Sequence, residues 1–384
     1  MNATKRNLNI VFPRHFVFGN GVLAQLKEEL HAAKVRRVIL MSIEPLKERL
    51  QSVIEDLKSA GIMVTADYSI QQEPSFADLR SLLIKFSEVD ADTVIGIGGG
   101  SVLDIAKLIA ALLDNDQKLE DVVGNGLLQK RNKRLICIPA TSGTGSEVSP
   151  NAILVDDEGQ KKGIISPNLV PDAVYADPLL TLTLPGAITA ATGLDALTHC
   201  LEAFTNRFSQ PFIDMFAIRG IKLIADNLVS AVQDGANEKA REEVALGSIL
   251  GGFCLGPVNT AAVHALSYPL GTEFHLAHGL SNALLLPYVM EFNYRSAPQK
   301  YAEVAIALGC PRGENDEETA RKGIDRIRQI IDECGIPSRL GELDIPKEAI
   351  PKLAEDALKI TRLLVNNPRE VTLEDAISIY RAAY

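Results

Sequence analysis

Thr93-Val94-Ile95-Gly96-Ile97-Gly98-Gly99-Gly100-Ser101, followed by a helix-like run over 102–113, decides the architecture of the first half of this chain. Residues 93–97 are too few for a helix and suit a buried parallel strand. Glycines at 98–100 let the backbone approach an anion closely. The helix that follows offers free N–H groups and the positive end of its dipole. In physical terms this is a site for a dinucleotide pyrophosphate. The spacing is not G-x-G-x-x-G, and taken alone the motif reads equally well as a simple tight turn.

The same alternation extends to both sides. Residues 37–41 and 62–65 read as strands, and 23–32, 46–60 and 76–88 as helices, the second of them closed by Gly61. A strand over 135–139 leads into Thr141-Ser142-Gly143-Thr144-Gly145-Ser146-Glu147. So many hydroxyls and glycines after a buried strand favour ligand approach, with a plain solvated loop as the other reading. Residues 151–156 and 162–166 form the arms of a predicted hairpin, and 173–176 a last strand. This βαβαβ order predicts a parallel sheet with right-handed crossovers, whose ligands bind beyond the carboxyl ends of the strands.

After Pro185-Gly186 no strand run is evident, and windows of helical period follow to the C-terminus. The expected organisation is an α/β Rossmann-like dinucleotide-binding domain over 1–182 and an all-helical domain over 183–384. The chain has six histidines, and four of them, His199, His264, His275 and His278, fall in the helical half. Asp195 and His199 are i and i+4 on one helix, so their side chains share a face. Taken singly, the pair reads as a surface ion pair and His264 as a satisfied core residue. Leu194, Leu197, Leu201 and Phe204 change that reading, because they make the helix largely buried. A charge there needs a partner or a metal. One carboxylate and two or three imidazoles from separate places suit a divalent transition metal with a position left for substrate. Cys200 adjoins His199 but points about 100° away around the helix, which makes it a poor co-ligand.

With 384 residues and 46% apolar content, the chain can bury two sizeable cores. The net charge of −10, with basic residues scattered, argues against nucleic acid as a partner. No apolar run reaches membrane-spanning length, and no apolar signal core opens the chain. The five cysteines, without close spacing, read as buried thiols of a reducing cytoplasm. An apolar, strand-like entry at 8–12 offers an edge for pairing across a dimer.

Together these blocks resemble the iron-containing (group III) alcohol dehydrogenases, the class of lactaldehyde reductase and 1,3-propanediol dehydrogenase. The resemblance runs nearly end to end. It takes in Gly98-Gly99-Gly100-Ser101 with Asp104 and Lys107, the 141–147 loop, Gly193-Leu194-Asp195-Ala196-Leu197-Thr198-His199, His264, His278-Gly279 with Asn282, Leu286-Pro287 and Asn367-Pro368-Arg369-Glu370. It implies a dehydroquinate synthase-like architecture, assembled as a homodimer or a larger oligomer. It implies Fe2+ on Asp195, His199, His264 and His278, with Zn2+ as the alternative ion. It implies NAD or NADP on Ser42, Gly99, Gly100, Ser101, Asp104, Thr141, Ser142, Thr144, Lys161 and Leu182. Asn151 falls where the family approaches both nicotinamide and substrate. Phe253, Cys254 and Leu363 are expected to help line the pocket for a small alcohol or aldehyde.

The sequence departs from the family pattern in two places. Where many members carry a histidine suspected in proton transfer, this chain has Tyr268, whose phenol has an unperturbed pKa of about 10. His275 is a substitute for that role or a plain surface histidine. Where NAD-preferring members place an Asp that repels a 2′-phosphate, this chain has Ser42, which leaves NAD against NADP open. Two other readings compete. One is a zinc-dependent glycerol dehydrogenase-like or dehydroquinate synthase-like enzyme, disfavoured by the Asp-x-x-x-His pair. The other is a non-catalytic nucleotide- or metal-binding protein, disfavoured by the complete ligand set.

Overall fold

The computed structural model describes residues 7–70 and 73–384. They form two compact units. One comprises Val11–Thr141 and Gly145–Thr181, and the other comprises residues 7–10, Ser142–Thr144 and Leu182–Tyr384.

The first unit is built on parallel strands β1 (His15–Phe18), β2 (Arg37–Met41), β3 (Met63–Asp67), β4 (Thr93–Gly98), β6 (Arg134–Pro139) and β9 (Ala173–Ala176). The sheet order is β1-β9-β6-β4-β2-β3. A smaller sheet, β5-β8-β7, joins β5 (Gly124–Asn125) to the antiparallel pair β7 (Asn151–Val155) and β8 (Lys161–Ile165). Helices α1 (Leu26–Ala32), α2 (Gln51–Ser59), α3 (Phe76–Phe86), α4 (Gly100–Leu112) and α5 (Leu119–Val122) lie between the strands.

Alternate residues of each strand face opposite sides of the sheet. Accordingly, Ile39, Met41, Val94, Leu135 and Cys137 pack with α3 and α4, while Val38, Leu40, Ile95, Ile97, Ile136 and Ile138 pack on the other face with α1 and α2. The chain builds outward from β2 to β3, then returns to place β4 on the other side of β2. The switch point of the topology therefore lies at the β2–β4 boundary, where open α/β sheets bind ligands. Met41 pairs with Gly96, and Gly98 with Pro139, so Ser42, the glycine turn and the 141–147 loop leave neighbouring strands at the same end.

The turn's tightness has a packing cause as well. A Cβ on Gly98 would lie 2.8 Å from the Val102 side chain, so only glycine lets α4 press this closely on β4.

The second unit holds α6 (Gly186–Thr205), α7 (Pro211–Gln233), α8 (Glu238–Leu255), α9 (Ala262–Phe274), α10 (His278–Asn293), α11 (Pro298–Ala307), α12 (Asp316–Glu333), α13 (Ile350–Leu358), α14 (Thr361–Leu364) and α15 (Leu373–Ala382). Among the described residues it contains no strand. Helix α6 is buried along its whole second half and ends at Asn206, whose amide donates to the Val258 and Asn259 carbonyls. Two details differ from expectation. Residues 8–12 form no strand within the chain; Pro13 follows that run, and the first strand, β1, begins at His15 alongside β9. The helix expected over 46–60 begins only at Gln51, behind a 3-10 turn set by Pro45.

Candidate active site

Asp195 Oδ1, on α6, lies 3.7 Å from His199 Nε2, 3.5 Å from His264 Nε2 and 3.7 Å from His278 Nε2. His199 stands one turn further along α6, His264 comes from the first turn of α9, and His278 opens α10. Asp195, His199 and His264 form a buried group of metal-ligating type. His278 is the member that reaches toward solvent, with its side chain 30% exposed. A tetrahedral ion with bonds of roughly 2.1 Å needs ligand atoms about 3.4 Å apart, close to the spacing around Asp195.

Two side chains that sequence reasoning did not assign complete the cluster. Glu202 accepts from the Val263 N–H through Oε1 at 2.6 Å and contacts His264 Nδ1 through Oε2 at 2.6 Å. It lies seven residues after Asp195 and three after His199. That spacing puts all three on one face of α6, and it was the signal available in the sequence. Asn282, one turn after His278, donates from Nδ2 to Asp195 Oδ1 at 2.7 Å and sits 3.1 Å from His264 Nε2 and 3.2 Å from His278 Nε2.

Burial works against the charge of Asp195, but His199, His278 and His264 outweigh it and hold the carboxyl well below the usual carboxylate range. Burial likewise opposes protonation of His264, yet Glu202 and Asp195 push it up to about 10. His199 is shifted downward by burial, with Asp195 and the Gly143 backbone opposing the shift. Two buried carboxylates and three imidazoles thus make a pocket that draws positive charge. The donor set fits a divalent ion.

The other candidates from the helical half divide. The Tyr268 ring lies 5.8 Å from the His278 ring, and its hydroxyl accepts from Arg362 Nη2 at 3.2 Å. His275 does not join the cluster. It is exposed and takes the left-handed conformation (φ 55°) that ends α9, its N–H donating to the Gly271 carbonyl. Cys254, expected to line a substrate pocket, is instead wholly buried in the helical core, with its Sγ toward the Leu250 and Ile213 carbonyls. Leu363 is also fully buried. Phe253 is half-buried and packs on the Phe216 ring.

At the glycine turn, Gly99, Gly100 and Ser101 are partly exposed at the N-terminus of α4. Asp104 holds the neighbouring loop rather than projecting from it: its carboxylate accepts from Ser146 Oγ at 2.5 Å and from the Ile153 N–H at 2.9 Å. Lys107 is buried one turn further on and donates to the Ser149 and Asn151 carbonyls at 2.9 and 2.7 Å. Burial lowers Lys107, raises Asp104, and pushes the Glu147 carboxyl up to about 7. In the 141–147 loop, Thr141 and Thr144 are partly exposed and Ser142 is buried. Asn151 Oδ1 is buried without a partner among the described residues. Lys161 Nζ pairs with Glu73 at 2.6 Å, and Leu182 is half-buried. The Ser42 hydroxyl is fully buried and donates to the Ile97 carbonyl at 2.8 Å, which commits it inside the sheet unit instead of to a ribose.

Residues 13–178 match the family described as iron-containing alcohol dehydrogenase, and residues 189–384 match the C-terminal part of the Fe-containing alcohol dehydrogenase family. The chain belongs to the iron-containing alcohol dehydrogenases. Within that family, long-chain-alcohol dehydrogenase 1 of Geobacillus thermodenitrificans is 36% identical over 382 residues, covering 98% of this chain and 96% of its own. A crystal structure of 1,3-propanediol oxidoreductase superposes with a TM-score of 0.95 at 31% identity, covering 99% of this chain and 100% of that one. Sulfoacetaldehyde reductase from Bifidobacterium kashiwanohense, solved in complex with NAD+, superposes with a TM-score of 0.89 at 26% identity, covering 98% and 99% of the two chains. The sheet unit and helical unit of this iron-containing alcohol dehydrogenase thus correspond to one fold shared along the full chain.

Proposed function

We propose that this enzyme interconverts a small primary alcohol and its aldehyde, using Fe2+ held by Asp195, His199, His264 and His278 together with NAD or NADP. The observation that carries this is the convergence of three imidazoles on Asp195 Oδ1 in a buried pocket bearing two carboxylates. The ion, when bound, supplies a Lewis acid for the substrate oxygen, and the nicotinamide supplies the hydride acceptor. The chain's own residues provide position and electrostatics. The N-terminus of α4, with Gly99, Gly100 and Ser101, is suited to the pyrophosphate. Thr141, Ser142, Thr144, Lys161 and Leu182 complete the proposed dinucleotide contacts. The unpartnered Asn151 amide oxygen is available to orient nicotinamide or substrate. Tyr268, beside His278, is the candidate for passing a proton. We further propose a cytoplasmic homodimer or larger homo-oligomer.

The NAD+-bound relative supports the choice of cofactor class, and the absence of a carboxylate at position 42 leaves NADP admissible. Metal analysis of anaerobically purified protein, with reduction of both cofactors followed over a panel of small alcohols, tests the reading. Iron is expected at close to one per chain, with zinc as the rival result. His264→Ala should abolish turnover while nucleotide binding persists. Full activity in a metal-free sample sinks the mechanism.

A further inference from the structure

We infer that Glu202 is a positioning residue for the metal centre: it fixes the tautomer of His264 so that Nε2, not Nδ1, presents its lone pair to the ion. This rests on the metal assignment proposed above and extends it to a residue that touches no ion and no substrate.

Two contacts carry the inference. Glu202 Oε2 lies 2.6 Å from His264 Nδ1, and both side chains are only 3% exposed. A carboxylate oxygen at this distance accepts the Nδ1 proton, so in the neutral ring that an ion requires, Nδ1 keeps its proton and Nε2 is left with the lone pair. The carboxylate itself cannot turn away, because Oε1 accepts from the Val263 N–H at 2.6 Å. The same residue therefore pins the backbone at the start of α9 and the ring one residue later.

Asn282 supplies an independent check on the other side of the ring. Its Nδ2 must face Asp195 Oδ1 at 2.7 Å, since the reversed amide would set two oxygens against each other. That same Nδ2 is 3.1 Å from His264 Nε2. An amide nitrogen only donates, so a proton on Nε2 would meet another donor. Both neighbours of His264 thus demand one tautomer, the one a metal requires. Outer carboxylates of this kind orient ligating histidines and raise their basicity.

Glu202→Gln discriminates this role from simple packing, because it keeps the shape but offers one acceptor for two donors. If the amide oxygen serves Val263, the amide NH2 faces His264 Nδ1, and the ring proton moves to Nε2. The parent and E202Q proteins are stripped and titrated with Co2+ against a chelator. Folding is followed by circular dichroism and nucleotide binding by calorimetry. The expected result is Co2+ affinity weakened about 10- to 100-fold and a changed Co2+ absorption spectrum, with fold and nucleotide binding kept. Affinity within about threefold of the parent overturns the inference. A parent that binds no Co2+ overturns the metal assignment itself, a separate outcome.

If E202Q fails to fold, nitrogen-15 NMR of the unaltered Zn2+-loaded protein decides. A proton on His264 Nδ1 with metal at Nε2 supports the role; metal at Nδ1 refutes it.

Discussion

A carboxyl removed from water is a stability switch as well as a packing element. Glu147 is 2% exposed, and burial pushes it up to about 7. An unfolded glutamate titrates near 4.3. Between those values the folded chain holds a proton that the unfolded chain has released, so stability falls as pH rises through this window, by about 3 kcal/mol in total. Glu147→Gln keeps the shape without the charge. Its melting temperature should vary less between pH 4.5 and 7 than the parent's, and should exceed it at neutral pH; thermal scans across that range check both. The buried Asp195–His199 pair was legible at this scale because both sit among leucines that bury them, and a buried charge demands an explanation. Glu202 was not, because its spacing places it on the face of Asp195 and His199 without showing what it would hold there. Cys254 misled for a related reason. Helix position says which residues are near a site, but the direction of a side chain depends on the neighbouring helices, here α7.

Among the elements, the crossing of α6 and α10 sets the distance between Asp195 and His278. A Cβ on Gly279 would lie 2.3 Å from the Ala191 carbonyl oxygen and 3.4 Å from Asp195 Cβ. Backbone cannot yield as a side-chain tip does, so Gly279→Ala must push α10, and with it His278, away from Asp195. The expected cost is about 1–3 kcal/mol of stability. Metal affinity should fall by about tenfold or more, as it does when an outer-sphere contact is lost. Denaturant melts and Co2+ titration of the same variant measure both; unchanged affinity would mean that the helices relax without moving the ligands. The strands were readable where short apolar runs ended in glycine or proline, as for β4 and β6, or stood between helical patterns, as for β2. β1 escaped notice because His15-Phe16-Val17-Phe18 is short, and it is defined by its pairing with β9 rather than by its own pattern.

For the molecule as a whole, an ion that binds only the folded chain adds to its stability by mass action. At a free concentration of about 100 times Kd the gain is about 2.7 kcal/mol. Chelation should therefore lower the melting temperature of the metal-loaded protein by roughly 3–4 °C, and added Fe2+ or Zn2+ should restore it. A melt indifferent to chelator would place the ion outside the folded core. The two-part organisation was legible because the hydrophobic period changes near Pro185. The grouping of Ser142–Thr144 with the helical unit was not, since it depends on contacts far apart in the chain. Asp195, His199 and the Glu202 that holds His264 all stand on α6, within two helical turns. Local opening of that one helix releases three of the pocket's anchors together. Ion loss and deuterium uptake at the α6 amides should accordingly share a single rate, and loading the pocket should slow exchange along the second half of α6 as one block.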